Sequence, residues 1–309
     1  MEIIVAGALT VAGLAMLCFG GNWLVSGGVM LARRFGISSL VIGMTVVAYG
    51  TSTPELAASL AASGEHGELI LGNVIGSNIA NVGMIIGISA ILVFIAVSRS
   101  TLRREVPIMI GASLLLVLLS IDGEVAGYDG IVLIGVLVAF TAYTFRGIRE
   151  RSGGSAPPAD GGRFYLKSGG MIAAGVALLG AGAWLAVENA VVLARAFGLS
   201  EMVIGTTVIA IGTSLPELVT SVVAIKRGHT DIGVGNIIGS NIYNILMIMG
   251  VASMIAAVPV APGVFTEYGI MICFSLVVLA AAKTGGIGRW IGAGLVAAYA
   301  AYIVAALLA

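Results

Sequence analysis

The sequence predicts an all-α membrane protein with ten transmembrane helices, arranged as two five-helix repeats of inverted topology in which the second and seventh helices are broken and meet at the midplane. The first observation behind this prediction is composition, because 59% of the 309 residues are hydrophobic and 10% are charged. Soluble domains have about 25% charged residues, and a core of this size cannot bury so much apolar surface. The other observations are the distribution of basic residues and two repeated motifs.

Ten apolar runs are predicted to span the membrane, and most of them have about 20 residues or more, the length that a spanning helix needs. Charged residues, glycines and prolines separate the runs. The first run lacks the basic segment of a signal peptide and is too long for one, so we interpret it as a span. The predicted spans are residues 3–31, 38–63, 69–97, 106–121, 127–146, 168–194, 200–225, 232–257, 264–282 and 287–308.

Basic residues alternate between the two sides of these spans. If the N-terminus is outside, the connections after the odd-numbered spans contain fourteen of the fifteen Lys and Arg residues, and only Arg195 lies outside. Basic residues accumulate on the cytoplasmic side of membrane proteins, so both termini are predicted to be outside. The short loops favour a prokaryotic inner membrane. The net charge is zero, which argues against a nucleic-acid partner.

Two blocks of sequence occur twice. Residues 31–56 match residues 193–218 at 18 of 26 positions, and GNVIGSNIANVGMIIG (72–87) matches GNIIGSNIYNILMIMG (235–250). Each half contains five spans, an odd number, so the second half enters the membrane from the opposite side, as in many secondary transporters. The predicted organisation is a first repeat over 1–150, a short cytoplasmic linker over 151–166 and a second, inverted repeat over 167–309.

The first block contains a proline in the middle of a span. Pro54 has no N–H and its ring disfavours a continuous helix, so the span should break at residues 51–53 and restart with Pro54 in the first turn. The break turns the backbone carbonyls of Ala48 and Thr51 toward a cavity and places Glu55 beside them. The second copy repeats the arrangement with Ala210, Thr213, Pro216 and Glu217.

The second block places polar oxygens along one face of a helix. Asn73, Ser77 and Asn81 are four residues apart, which confines them to an arc of about 80°. The same spacing recurs at Asn236, Ser240 and Asn244, and the breaks add the hydroxyls of Ser52 and Ser214. The blocks contain neither His nor Cys, and ligation by oxygen alone suits hard cations such as Ca²⁺ and Na⁺ and disfavours transition metals.

Proline kinks and Asn or Ser contacts between helices are common in membrane bundles, so each of these residues taken singly also fits a structural role. A carboxylate in the middle of a span is costly and functional by default. This chain has one at the same position in each copy of the first block, Glu55 and Glu217. Glu188, near the end of span 6, fits a peripheral or entrance role. An intramembrane hydrolase would need a nucleophile next to a base, and neither a Ser–His nor a Ser–Lys pair is predicted at membrane depth. A passive channel is less favoured, because broken helices in inverted repeats indicate alternating access.

The GTSTPEL and GTSLPEL sequences, with the paired GNxxGSNxxN blocks, resemble the alpha repeats of the sodium/calcium exchanger family, within the cation/calcium exchanger superfamily. The resemblance covers nearly the whole chain. It implies ten helices, a site between the repeats and exchange of Ca²⁺ for Na⁺ by a transporter, with no enzymatic activity and no cofactor. The short linker implies a prokaryotic form without the large regulatory domain of animal members.

The resemblance also implies ligands. Glu55 and Glu217 would bind Ca²⁺ with the backbone oxygens of Thr51 and Thr213. One Na⁺ site would use Ser52, Ser77 and Ala48, and the other Ser214, Ser240 and Ala210. Asn81 and Asn244 would complete the middle, with Asn73 and Asn236 on the same helix faces. Potassium-dependent members have an acidic residue at the position of Asn244, so K⁺-independent exchange is expected.

One occluded Ca²⁺ or two Na⁺ would compensate the two carboxylates, and a third Na⁺ would make exchange electrogenic. The alternative is a Ca²⁺/H⁺ antiporter on the same scaffold, because a buried Glu can carry a proton. One chain contains both half-sites, so a monomer in the lipid bilayer is sufficient. The glycine-rich spans 1 and 6 are predicted to be the moving elements.

Overall fold

The computed structural model describes residues 2–62, 67–98, 101–151, 161–199, 208, 210–283 and 285–308. Nearly all of them are helical, and the exceptions include four strands of two residues each. In the first half the α-helices are α1 (Glu2–Phe35), α2 (Ser39–Ile42), α3 (Ala48–Thr51), α4 (Thr53–Ala62), α5 (Gly67–Ala80), α6 (Gly87–Leu92), α7 (Val106–Leu119) and α8 (Gly127–Arg151).

The second half follows the same order. Its described α-helices are α9 (Gly161–Ala196), α10 (Ala210–Thr213), α11 (Leu215–Lys226), α12 (Thr230–Tyr243), α13 (Gly250–Ile255), α14 (Val264–Lys283) and α15 (Arg289–Leu308). Wider π-helical turns join several of them, at Gly43–Val47, Asn81–Ile86, Thr101–Glu105 and Asn244–Met249. The turns that begin at Asn81 and Asn244 occupy equivalent places in the two repeats, and such turns often occur at functional sites.

Seven helical segments of the described residues are individually long and apolar enough to cross a membrane, and each coincides with a predicted span. They are Ile3–Phe35, Leu69–Leu92, Gly127–Phe145, Gly162–Ala196, Thr230–Ile255, Val264–Ala281 and Arg289–Leu308. The other three predicted spans are shorter or interrupted. Span 38–63 is split at Ser52, α7 has 14 residues, and the start of span 200–225 lies outside the described residues.

The helices that contain the GNxxGSNxxN blocks form the centre of the bundle. Of the most apolar window in Leu69–Leu92 and in Thr230–Ile255, 83% is buried, against 22% in Ile3–Phe35 and 28% in Gly162–Ala196. The first two helices therefore contribute side chains to the interior from most of their circumference, whereas α1 and α9 lie at the periphery with apolar residues such as Phe19 and Trp184 exposed.

The long helices α1 and α9 pack against each other along their length in antiparallel directions, with glycines at the contact. A methyl group added at Gly20 would lie 2.8 Å from the carbonyl oxygen of Gly175, and one at Gly13 would lie 2.7 Å from that of Gly182. Gly27 approaches Ser168 in the same way. The backbones can therefore approach closely, as they do in other membrane helix pairs with small residues at the contact.

Two short antiparallel ladders connect the halves. Strand β1 (Ile95–Ala96) pairs with β4 (Gly286–Ile287), and β2 (Glu124–Val125) pairs with β3 (Val258–Pro259). Each ladder contains one strand from the first half and one from the second. The ladders therefore join the two halves near the ends of the central helices.

Candidate functional site

The helix breaks lie where the sequence predicts them. Helix α3 ends at Thr51, Ser52 has φ −84° and ψ 1°, and α4 begins at Thr53 with Pro54 in its first turn. In the second half, Ser214 has φ −89° and ψ 4° between α10 and α11. The cause is the same in both copies, because the proline supplies no N–H to continue the ladder.

Each break places a glutamate in the first turn of the following helix. Glu55 is 2% exposed and Glu217 is 1% exposed, so both carboxyl groups are buried. The positive end of a helix dipole lies at its N-terminus and favours a negative charge there. The two carboxyl groups are close enough to interact with each other, so the two half-sites meet inside the bundle.

Hydroxyl groups from both halves surround Glu217. The Ser52 hydroxyl donates to its Oε1 over 3.2 Å, and the Ser240 hydroxyl donates to the same oxygen over 3.5 Å. The Thr51 hydroxyl lies 3.4 Å from the Ser240 Oγ and donates to the Asn236 Oδ1 over 3.1 Å. The first break therefore packs directly, through polar side chains, against α12, the helix that contains the second GNxxGSNxxN block.

Four buried asparagines form a second cross-repeat cluster. The Asn81 Nδ2 donates to the Asn241 Oδ1 over 2.9 Å, and the Asn244 Nδ2 donates to the Asn78 Oδ1 over 3.1 Å. Asn81 and Asn244 are predicted site residues. Asn78 and Asn241 are not, although they occur in both GSN sequences at the same offset as the rest of the block.

Several buried oxygens of the site have no hydrogen-bond partner in the described part of the chain. They are Glu55 Oε2, Glu217 Oε2, Asn81 Oδ1, Asn244 Oδ1 and Ser214 Oγ. Buried polar atoms are nearly always paired, and carboxylate and amide oxygens can only accept. A set of acceptors without donors is what a hard cation needs from its ligands.

The remaining predicted ligands differ in their surroundings. The Ser77 hydroxyl donates to the Asn73 Oδ1 over 3.5 Å, so these two side chains bond to each other. The Ala48 carbonyl accepts the Ser52 N–H over 2.9 Å and lies 3.3 Å from the Thr51 hydroxyl, whose single proton it shares with the Asn236 Oδ1, so this carbonyl is already engaged within its own turn.

On the second break, Ala210 and Thr213 are the first and last residues of α10, and Thr213 is half-buried. The Ser214 N–H bonds to the Ile211 carbonyl over 3.1 Å, which is one residue nearer than the corresponding bond of Ser52. The two breaks are therefore similar in backbone path and different in their hydrogen bonds.

The arrangement presents oxygen acceptors of the kind that a hard cation requires from its ligands. The hydrogen-bond partners of Glu217 are hydroxyl groups rather than basic side chains. Among the described residues, no group of three or more His, Cys, Asp and Glu side chains is placed to hold a metal ion. Two carboxylates with neutral oxygens suit Ca²⁺ and Na⁺ and are a poor match for transition metals.

The fold and site define a class of membrane transporter in which broken helices present buried oxygens to a cation. The family model described as "Sodium/calcium exchanger protein" matches residues 5–146 and 167–308. The chain therefore belongs to the sodium/calcium exchanger family, whose members transport Ca²⁺ and other cations.

Relatives and solved structures agree with this assignment. The chain is 33% identical over 336 residues to sodium/calcium exchanger MaX1 of Methanosarcina acetivorans, covering 94% of this chain and 95% of the relative. It is 37% identical over 285 residues to inner membrane protein YrbG of Escherichia coli, covering 89% and 88%. A solved structure of the sodium-calcium exchanger NCX_Mj superposes with a TM-score of 0.87 at 32% identity, covering 98% of this chain and 99% of that one.

Proposed function

We propose that this protein is a secondary active antiporter that exchanges Na⁺ for Ca²⁺ by alternating access, electrogenically and without K⁺. The observation that carries the proposal is the pair of buried, interacting carboxyl groups at the two breaks, with acceptor oxygens around them that lack donors among the residues that the structure describes. Two uncompensated charges in a low-dielectric interior are costly. Binding of one Ca²⁺ or two Na⁺ would compensate them, and a third Na⁺ would make the exchange electrogenic.

In this proposal Glu55 and Glu217 bind Ca²⁺ directly, together with the backbone oxygens of Thr51 and Thr213. The amide oxygens of Asn81 and Asn244 complete the middle of the site.

The flanking hydroxyls provide Na⁺ positions. One position uses Ser52, Ser77 and the Ala48 carbonyl, and that carbonyl takes part once the Thr51 hydroxyl turns away from it. The other position uses Ser214, Ser240 and the Ala210 carbonyl. Asn73 and Asn236 support these sites from the same helix faces.

The proposed architecture has ten transmembrane helices, with repeats over 1–150 and 167–309 and a linker over 151–166. The antiparallel packing of α1 against α9, which occupy equivalent places in the two halves, supports inversion of the second repeat. The charge distribution supports an inner-membrane protein with both termini outside. A monomer is sufficient because both half-sites lie in one chain.

We propose that α1 and α9 are the moving elements, and that they slide along each other and along the central helices. Both are peripheral, and glycines on both helices bring their backbones into close contact, with Leu17, Leu24 and Leu179 packed beside them. At the glycines themselves, the helices could slide without first moving a side chain aside. In the empty site the charges of the two carboxylates are uncompensated. An empty site would therefore not move from one side of the membrane to the other, which would make exchange obligatory.

Proton coupling is the second candidate, and the observation that favours it is the burial of both carboxyl groups, which are 2% and 1% exposed. A buried carboxyl group can carry a proton, because burial penalises its charged form. The neutral oxygens of Ser52, Ser214, Ser77 and Ser240 favour Na⁺, because protons would not require them.

The test is uptake of labelled Ca²⁺ into proteoliposomes loaded with Na⁺. External Na⁺ is replaced by choline and then by K⁺, and a proton gradient is imposed in a separate series. We expect uptake that requires internal Na⁺, proceeds in choline without K⁺, and responds to membrane potential. Uptake that follows the proton gradient and ignores Na⁺ would replace the proposal with Ca²⁺/H⁺ antiport.

A further inference from the structure

A chain of hydrogen bonds starts at Asn81 in the first half of the sequence and passes through Asn241 in the second half. The Asn81 Nδ2 donates to the Asn241 Oδ1 over 2.9 Å, and the Asn241 Nδ2 donates in turn to the Met109 Sδ over 3.4 Å. All three side chains are at most 2% exposed. The far end of this chain is the Asn81 Oδ1, which has no partner among the described residues.

The second half contains the same chain with the repeats exchanged. The Asn244 Nδ2 donates to the Asn78 Oδ1 over 3.1 Å, and the Asn78 Nδ2 lies 3.7 Å from the Met271 Sδ and 3.3 Å from the Asn241 carbonyl oxygen, to both of which it donates. The Asn244 Oδ1 is again left without a partner. A methionine, an inner asparagine and an outer asparagine therefore recur in the same order.

The direction of each chain follows from its anchor. A thioether sulfur and a backbone carbonyl accept hydrogen bonds and cannot donate them. The NH₂ group of each inner asparagine, Asn78 or Asn241, must therefore face its anchor, and its oxygen must face the outer asparagine. The outer asparagine then donates its own NH₂ group backwards and presents its oxygen forwards.

An asparagine amide whose ends are not fixed can present either its oxygen or its NH₂ group. The oxygen attracts a cation and the NH₂ group repels it, so the orientation decides whether Asn81 and Asn244 are ligands at all. Packing alone does not distinguish the two orientations, because the two ends have nearly the same size. Hydrogen bonds to acceptors that cannot donate do distinguish them.

We propose that Asn78 and Asn241 are positioning residues that turn the amide oxygens of Asn244 and Asn81 toward the cation, with Met271 and Met109 as their anchors. This proposal rests on the cation exchange proposed above. Neither inner asparagine needs to touch an ion, since each acts through the side chain in front of it. Two of the 12 methionines thereby acquire a role as hydrogen-bond acceptors.

The central variant is Asn241→Leu, which has similar volume and no acceptor for Asn81. The Asn81 amide then loses the bond that fixes its orientation. We expect the half-saturating Ca²⁺ concentration to rise about tenfold, which corresponds to about 1.4 kcal/mol, the size of one hydrogen bond. Binding of labelled Ca²⁺ to the purified protein measures this without requiring transport.

A double-mutant cycle separates positioning from a structural role. In an Asn81→Ala background, Asn241→Leu should change Ca²⁺ affinity less than twofold, because the amide on which it acts is gone. In an Asn244→Ala background the tenfold loss should remain, since Asn241 acts through Asn81 alone. An equal loss in all three backgrounds would overturn the proposal.

The same cycle is run with Met109→Leu, which conserves volume and keeps every asparagine, so the test does not depend on whether Asn241→Leu folds. We expect a smaller loss that also disappears in the Asn81→Ala background, and a loss that persists there would contradict the role of the sulfur. Failure of the proposed function is distinguishable, because the wild-type protein would then show no Na⁺-dependent Ca²⁺ uptake while the binding cycle could still be measured.

Discussion

The contact between α1 and α9 gives a prediction whose size follows from the structure. In Gly20→Ala the new methyl group would lie 2.8 Å from the Gly175 carbonyl oxygen and 2.9 Å from the Leu179 nitrogen. Ordinary contacts begin at 3.4 Å, so the backbones must separate by about 0.6 Å at this point. Both atoms belong to the backbone and cannot turn aside. Overpacking of this kind costs about 1–3 kcal/mol.

If α1 and α9 slide along each other during exchange, the methyl group must also pass the Gly175 backbone. A barrier raised by about 1–3 kcal/mol slows a rate about 5- to 150-fold. We therefore expect Gly20→Ala to reduce the maximal rate of Na⁺-dependent Ca²⁺ uptake within this range. Its half-saturating Ca²⁺ concentration should stay within about twofold of wild type, because Gly20 makes none of the described contacts of the site.

Gly170→Ala is the matched control, because Gly170 is exposed on α9 and no described atom lies within 4 Å of a methyl group placed there. It should exchange at the wild-type rate. A Gly20→Ala protein that transports as fast as this control would refute the reasoning about the helix contact. Weakened Ca²⁺ binding with an unchanged rate would also contradict it.

Two further predictions concern the site and the ends of the helices. Ser52→Ala removes the 3.2 Å hydrogen bond to Glu217, and because bonds to charged groups contribute about 1.5–3 kcal/mol, we expect Ca²⁺ binding to weaken at least tenfold. The control is Ser89→Ala, because the Ser89 hydroxyl is buried but, unlike that of Ser52, has no partner among the described residues. It should leave Ca²⁺ binding unchanged, and equal effects of Ser52→Ala and Ser89→Ala would count against the cross-repeat bond. Burial, followed by the positive charge of neighbouring arginines including Arg227, lowers the pKa of His229 after α11. Arg227→Gln should raise this pKa, so that the ring protonates at higher pH in an NMR titration, and an unchanged titration would exclude the charge effect.

The positions of the breaks could be predicted from sequence because proline acts locally. Pro54 and Pro216 lack the N–H that a continuous helix requires, whatever surrounds them, and the structure breaks at Ser52 and Ser214. The glutamates follow by one residue, so their place in the first turn follows as well. Apolar length likewise located the seven long spans.

The inner asparagines could not be found by the same reasoning. Asn78 directly follows Ser77, so it lies about 100° around the helix from the polar stripe of Asn73, Ser77 and Asn81. Its importance depends on what the other repeat places opposite that face, which is a tertiary property. The recurrence of Asn at 78 and 241 was a signal, but helical periodicity alone assigns it to packing.

The same limitation applies to hydrogen bonds of the backbone. Sequence predicts that a break frees carbonyl groups, but the Ala48 carbonyl accepts the Ser52 N–H over 2.9 Å and lies 3.3 Å from the Thr51 hydroxyl of its own turn. The π-helical turns that begin at Asn81 and Asn244 were also not predicted, because a single wider turn leaves the apolar pattern intact. These details depend on local competition between donors and acceptors.

The central claim is that the two repeated glutamates bind the transported Ca²⁺. Its most direct test is Na⁺-dependent uptake of labelled Ca²⁺ by Glu55→Gln and Glu217→Gln in proteoliposomes, with Glu188→Gln as the control because Glu188 is exposed on the peripheral helix α9. The proposal predicts loss of uptake in both of the first two variants and wild-type uptake in the third. Substantial Na⁺-dependent uptake by either Glu55→Gln or Glu217→Gln would contradict it.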